Sequence, residues 1–170
     1  MQKIISSKNA KTLNPRKSPE KTCNCRQNSL CPLQGKCTEK NVIYKATVKQ
    51  TNGKTNTYIG NTSTEFKSRL AVHQHSFKYS EKNQTSLSQF IHDLKKQKLE
   101  HELTWEIIDK GKPFSPVTNK CDLCTKEKFH ILLQSNPEQL NKRSEIFSHC
   151  MHKRSSLLVP REKKKKRTPG

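Results

Sequence analysis

The sequence predicts a small α/β domain on the strength of three observations. One stretch alternates in hydropathy and leads through an Asn-Gly turn signal into a return stretch carrying Tyr58-Ile59-Gly60, another alternates around residue 105, and apolar residues recur at helical spacing in the intervening and following segments. Hydrophobic residues make up only 29% of the 170 residues and mean hydropathy is -1.00, so the core must be small. A domain with so little apolar area to bury usually needs a staple such as a metal.

The first strand is Val42 to Val48, in which Val42, Tyr44, Ala46 and Val48 alternate with Ile43, Lys45 and Thr47. Thr51-Asn52-Gly53 then signals a hairpin, and Thr55 to Gly60 returns. A two-residue Asn-Gly turn would set Tyr44 opposite Asn61 and Tyr58 opposite Thr47, on opposite faces. A three-residue loop with Gly53 in the left-handed region pairs Tyr44 with Gly60 and Tyr58 with Ala46, so that both phenols share one face. The sequence permits both turns, and only the odd loop builds a site from two tyrosines.

After Gly60, Thr62-x-x-Glu65 reads as a capping box that starts a helix. Phe66, Leu70, His73 and Phe77 fall near one stripe of it, and Arg69 stands one turn before His73. Thr85 or Ser86 caps a second helix whose Leu87, Phe90, Ile91 and Leu94 form a core stripe, with His92 on its surface. The third strand carries Leu103, Trp105 and Ile107, and the alternation makes Trp105 a core anchor rather than a base-stacking platform. Gly111 to Asn119, with Pro113 and Pro116, is a loop. A third helix runs from about Cys121 to Gln134 and sets Glu127 between Leu123 and Ile131 on one line. A carboxylate in such a stripe either reaches solvent beside Lys126 and Lys128 or takes a partner, for which a divalent cation is suited.

Seven cysteines suit mixed Cys/His metal sites better than a disulfide framework. Cys23, Cys25, Cys31 and Cys37 lie close enough to fold round one zinc as a knuckle, with Pro32 and Gly35 as turn residues, although the spacing matches no standard finger and free thiols are the other reading. Cys121-x2-Cys124 and Cys150-x-His152 form two halves of a Cys3His site, with His149 as an alternative ligand.

The charge is +20, from 34 Lys and Arg against 14 Asp and Glu. Residues 1–22 hold six basic residues against Glu20, and 153–170 hold eight against Glu162, so 20 basic and 12 acidic residues remain between them. Both tails and the middle are basic, and a polyanion, nucleic acid above all, is the partner such a field favours. Lys163 to Arg167 reads as a nuclear localisation signal or a DNA-gripping tail. No run of 18 apolar residues implies a membrane span, and Met1 to Ser6 lacks a signal-peptide segment, so an intracellular, nuclear protein is expected.

Val42-Ile43-Tyr44, Tyr58-Ile59-Gly60 and Arg69 resemble the GIY-YIG nuclease signature, with Val in place of the first Gly. Cys23-Asn24-Cys25-Arg26, Phe66-Lys67-x-Arg69-x-x-x-His73, Ser88 to Lys95, Thr104 to Ile107, Cys121 to Lys128 and Leu140 to Glu145 are similar to motifs of the endonuclease domain of Penelope-like retroelements. The likeness spans residues 22–158 in the right order, and His92 stands where family members often have Trp. It implies a zinc-stabilised α/β sandwich of GIY-YIG type, with a three-stranded antiparallel sheet flanked by helices. The expected division is a disordered basic arm at 1–22, a Cys-rich knuckle at 23–40, the nuclease domain with its Cys/His zinc site at 41–152, and a basic tail at 153–170.

The resemblance also implies a function: metal-dependent hydrolysis of DNA phosphodiesters by a domain that in the family follows a reverse transcriptase. By the same likeness Glu127 holds one Mg2+ or Mn2+, Arg69 holds the phosphate, and Tyr44 or Tyr58 takes the proton of the attacking water, with Tyr44 favoured. His73 assists the phenol and Asn141 orients the substrate or a tyrosine. His152, rather than His149, completes the structural zinc site. Lys45, Lys67, Lys142 and Arg143 join Arg69 in contacting DNA. The rival class is a zinc-stabilised DNA-binding module without catalysis. An RNA-binding or scaffolding module has less support, for want of interleaved aromatics.

Overall fold

The computed structural model describes residues 22–27, 29, 31–79, 81, 85–134, 137–142, 146, 149, 150 and 152. The basic arm, apart from Thr22, the tail 153–170 and Arg143 lie outside the described residues. The elements run β1 (Val42–Gln50), β2 (Thr55–Thr62), α1 (Phe66–Lys78), α2 (Ser86–Lys96), β3 (His101–Lys110) and α3 (Asp122–Leu133). The chain is α/β, with an antiparallel sheet of order β2-β1-β3 and helices on both of its faces.

The hairpin takes the odd loop. Tyr44 pairs with Gly60 and Ala46 with Tyr58, the Gln50 amide donates to the Lys54 carbonyl at 2.9 Å, and Gly53 has φ +83°. Val42, Tyr44, Ala46, Val48 and Tyr58 therefore face one way, where Phe66 and Leu70 of α1, Leu87, Ile91 and Leu94 of α2, and Trp105 complete the larger core. Ile43 and Ile59 face the other way and pack with Cys121, Leu123 and Ile131. β1 is buried on both sides because it is the central strand of a three-layer domain.

α1 departs from expectation at its start. The helix begins at Phe66, and neither Thr62 nor Glu65 caps it; the Thr62 hydroxyl instead accepts from the Thr64 amide at 3.3 Å. The first amides find partners far upstream: Phe66 N–H donates to the Glu39 carbonyl at 2.8 Å and Lys67 N–H to the Cys37 carbonyl at 2.9 Å. Orphan donors at a helix N-terminus must be satisfied by something, and here the end of the cysteine loop replaces the capping box. At the other end His92 Nε2 lies 2.8 Å from the Ser76 carbonyl and Lys95 Nζ donates to the Phe77 carbonyl, so α2 covers the last turn. His92 is thus half-buried and engaged rather than simply a surface residue. α2 itself has a reciprocal cap between Thr85 and Ser88.

The outer edge of β2 is covered by residues 138–141. Gln139 forms a parallel bridge with Thr57, the Leu140 amide donates to the Thr57 carbonyl at 2.8 Å, and the Thr57 amide donates to the Glu138 carbonyl at 3.2 Å. Such a cover removes an exposed pairing edge. No helix among the described residues is long and apolar enough to cross a membrane.

Candidate functional site

The odd hairpin loop and the α1 stripe meet at the Tyr44 hydroxyl. Tyr44 Oη lies 2.8 Å from His73 Nε2, and Arg69 Nε donates to it at 3.0 Å. Arg69 and His73 reach one atom because four residues advance a helix by about one turn. The phenol is fully buried, stacked on Phe66 with ring centroids 5.2 Å apart, and Trp105 lies at 5.7 Å. It also lies across Gly60: a Cβ there would fall 2.5 Å from Tyr44 Oη and 2.7 Å from Cζ, so only glycine fits beneath it. Tyr58 shares this face, its ring edge-on to His73 at 6.1 Å.

Burial, reinforced by the Arg69 charge, pushes His73 down to about 3, so the imidazole is neutral at ordinary pH. With its proton on Nδ1, it accepts the Tyr44 proton at Nε2. With its proton on Nε2, both His73 and Arg69 donate to the oxygen, an arrangement suited to phenolate. Burial alone would lower the pKa of Arg69, but the Tyr44 oxygen and, further off, Tyr58 and Glu127 outweigh it and raise the value.

Arg69 also lines a cleft of about 410 Å3, together with Asn61, Thr62, Ser63, Thr64, Ser68, Glu127 and, from the downstream cysteine/histidine group, Cys124 and His152. The Glu127 carboxylate accepts from Asn61 Nδ2, so one of its partners on the protein is an amide that the helical line alone does not reveal. Carboxylate, amide and hydroxyl oxygens on one wall are the donor chemistry of Mg2+ or Mn2+, which keep several waters and take few protein ligands. Asn141 stands behind this wall. Its side-chain oxygen accepts from the Ile59 amide at 2.7 Å and its Nδ2 donates to the Ile59 carbonyl at 2.8 Å, imitating a peptide group between the two tyrosine-bearing positions of the hairpin.

The two cysteine groups assemble. Cys23, Cys25, Cys31 and Cys37 bring their sulfurs within 4.8 Å of one another, and so do Cys121, Cys124, Cys150 and His152 with their ligand atoms. Cys37 Sγ lies 3.5 Å from Cys23 Sγ and 3.9 Å from Cys25 Sγ; downstream, Cys124 Sγ lies 3.6 Å from Cys150 Sγ and 3.2 Å from His152 Nδ1. Zinc bonds of about 2.3 Å to sulfur and 2.0 Å to nitrogen put tetrahedral ligand atoms roughly 3.5 to 3.8 Å apart. The separations exceed an S–S bond of about 2.0 Å, and all seven cysteines are free thiols. Each group could hold a metal ion and is compatible with structural zinc. His152 belongs to the downstream group, whereas His149 is exposed on the cleft wall.

Cys31 is one thiol whose pKa falls. Burial raises it, but the backbone amides of Leu33 and Gly35 outweigh that and hold it at about 7, nearer the thiolate a metal requires. Burial and the neighbouring Cys121 and Cys150 push the Cys124 thiol up, and a cation is what relieves such crowding of ligands.

The predicted basic contacts are dispersed. Arg69 lines the cleft, while Lys45 pairs with Glu106 at 3.1 Å, Lys67 with Glu65 at 3.0 Å, and Lys142 donates to Gln89 at 3.0 Å. Surface pairs of this kind contribute little to stability. No protein-family model, no curated protein and no solved structure matches this chain.

Proposed function

We propose that this chain is a metal-dependent DNA endonuclease of GIY-YIG type, derived from a Penelope-like retroelement, which nicks DNA by hydrolysing a phosphodiester. The observation that carries the reading is the Tyr44 hydroxyl held between His73 Nε2 and Arg69 Nε, with Arg69 extending from it into the cleft that contains Glu127. An isolated pair of strand tyrosines would be ordinary sheet residues. A buried phenol with a base on one side and a cation on the other is a device for moving a proton.

In this reading the Tyr44 oxygen takes a proton from water and His73 accepts or returns the phenol proton. Arg69 stabilises negative charge on the Tyr44 oxygen and, through its remaining donors, on the phosphate. Glu127, with the oxygen atoms beside it, would hold Mg2+ or Mn2+. The ion, when bound, supplies Lewis-acid stabilisation of charge on the phosphate and leaving oxygens. Asn141 acts at one remove by fixing the backbone at Ile59. Zinc in both cysteine groups would be structural. The net charge of +20 supports a nucleic-acid partner and nuclear residence.

A catalytically idle, zinc-stabilised DNA-binding module is the second reading, and one observation favours it: Tyr44 is fully buried, so water reaches its oxygen only if Arg69 or its surroundings shift. One experiment separates the two. Nicking of supercoiled plasmid with Mg2+ or Mn2+ is expected for the wild-type chain and is expected to fall by about 100-fold or more in Tyr44→Phe and Glu127→Ala, at matched DNA affinity. DNA binding with zinc retained but no nicking under either metal would install the idle module instead.

A further inference from the structure

The amide of Asn61 is engaged with Glu127 in a way that the proposed chemistry leaves unused. Asn61 is the residue after Gly60 on β2, half-buried on the cleft wall, and its Nδ2 donates to Glu127 Oε2. Glu127 reaches this amide from α3, flanked along the helix by the buried Leu123 and Ile131. A carboxylate on a helix has several rotamers and can turn about its last bond. A donor on the neighbouring strand selects one of them and sets the plane of the group.

The support beneath Asn61 is unusually firm. Two residues before it, both backbone groups of Ile59 are held by the side chain of Asn141, and Asn61 itself pairs with Ile43 of the central strand. The amide therefore projects from a strand fixed on both edges, whereas Glu127 lies on a helix whose start carries two ligands of the downstream group. From β2, the Asn61 amide reaches the carboxylate directly.

The geometry points to Asn61 as the positioning residue that orients Glu127 as a metal ligand, so that the divalent cation of the cleft binds to a carboxylate set in advance. This inference rests on the nuclease reading only in taking Glu127 as a ligand for that cation. Hydrogen-bonding partners of metal ligands typically affect metal affinity by about 10- to 100-fold. A purely structural contact would alter stability and leave metal affinity unchanged.

Direct binding of Mn2+ to the full chain, with both zinc sites loaded, is the measurement, read by the loss of the free-ion paramagnetic resonance signal. Wild type is compared with Asn61→Ala, Asn61→Leu and Glu127→Ala, and zinc content and thermal unfolding are followed in each. Expected is loss of Mn2+ binding in Glu127→Ala and weakening of about 10-fold or more in both Asn61 variants, with two zinc ions retained. Should Glu127→Ala lose binding while a folded Asn61 variant stays within about twofold of wild type, the positioning role is overturned and the metal reading stands. Unchanged binding in Glu127→Ala overturns both. Asn61→Leu, close to asparagine in size, carries the test if Asn61→Ala does not fold.

Discussion

The upstream group takes its four sulfurs from one short loop, while the downstream group takes Cys121 and Cys124 from the start of α3 and Cys150 and His152 from a segment beyond the cover of β2. The first closes a sequence separation of 14 and the second one of 31. Loop-closure entropy separates two such closures by only about 0.7 kcal/mol. Their difference lies instead in what each closure holds. The upstream loop supplies two carbonyls to the first amides of α1, the helix of Arg69 and His73. The downstream group joins the start of α3, the helix of Glu127, to the chain after Asn141, and two of its residues, Cys124 and His152, form part of the cleft itself. One group sets a helix; the other sets a helix, a strand edge and a wall.

The largest effect is therefore expected downstream. On the proposed reading, with zinc in both groups, Cys124→Ser should release one of the two ions, destabilise the chain by several kcal/mol and abolish nicking, as seen by zinc content, urea unfolding and plasmid assay. A smaller loss here than in the matching upstream variant would break the comparison.

Acid probes the α1 side separately. His73 titrates at about 3 in the folded chain against 6.5 as a free side chain, so the unfolded state binds the extra proton between those values. The stability that neutral His73 contributes is complete above about pH 6.5 and is lost as pH falls towards 3, at up to roughly 1.4 kcal/mol per pH unit. Unfolding of wild type and His73→Gln in parallel isolates this slope from metal loss common to both. Equal slopes would remove His73 as the cause.

Upstream, Cys25→Ser should cost about 1 to 2 kcal/mol, the scale of a lost helix cap. Hydrogen exchange localises it: the amides of Phe66 and Lys67 should lose protection while that of Leu140 keeps it. Loss of protection at Leu140 as well would mean that the two groups are not independent.

Much of the fold is legible in the sequence because its determinants are local. The strand faces follow from period two and the helices from their stripes, whereas local sequence leaves the hairpin register open between two loops, and the odd loop is singled out only by placing both tyrosines on one face. α3 and the division of the cysteines into four and three are legible for the same reason, whereas the choice of His152 over His149 came from the family resemblance. The start of α1 was not, since Thr62 and Glu65 have the right spacing for a box while the amides are answered from Cys37 and Glu39. Asn61 was hidden for a related reason: nothing within β2 announces that its amide will meet a carboxylate on α3. Asn141 was named through the resemblance, but its clamp on Ile59 depends on a crossing that no short window contains.

The dependence of α1 on both neighbours has a consequence for the order in which the domain is made. Its opening amides are answered by a segment synthesised before it, and its closing carbonyls by His92 and Lys95, synthesised after it. Isolated helices of this length are marginal in water. On the ribosome, Arg69 and His73 can thus be translated well before they share a stable helix, and that helix is secured only when α2 has emerged to close over its last turn.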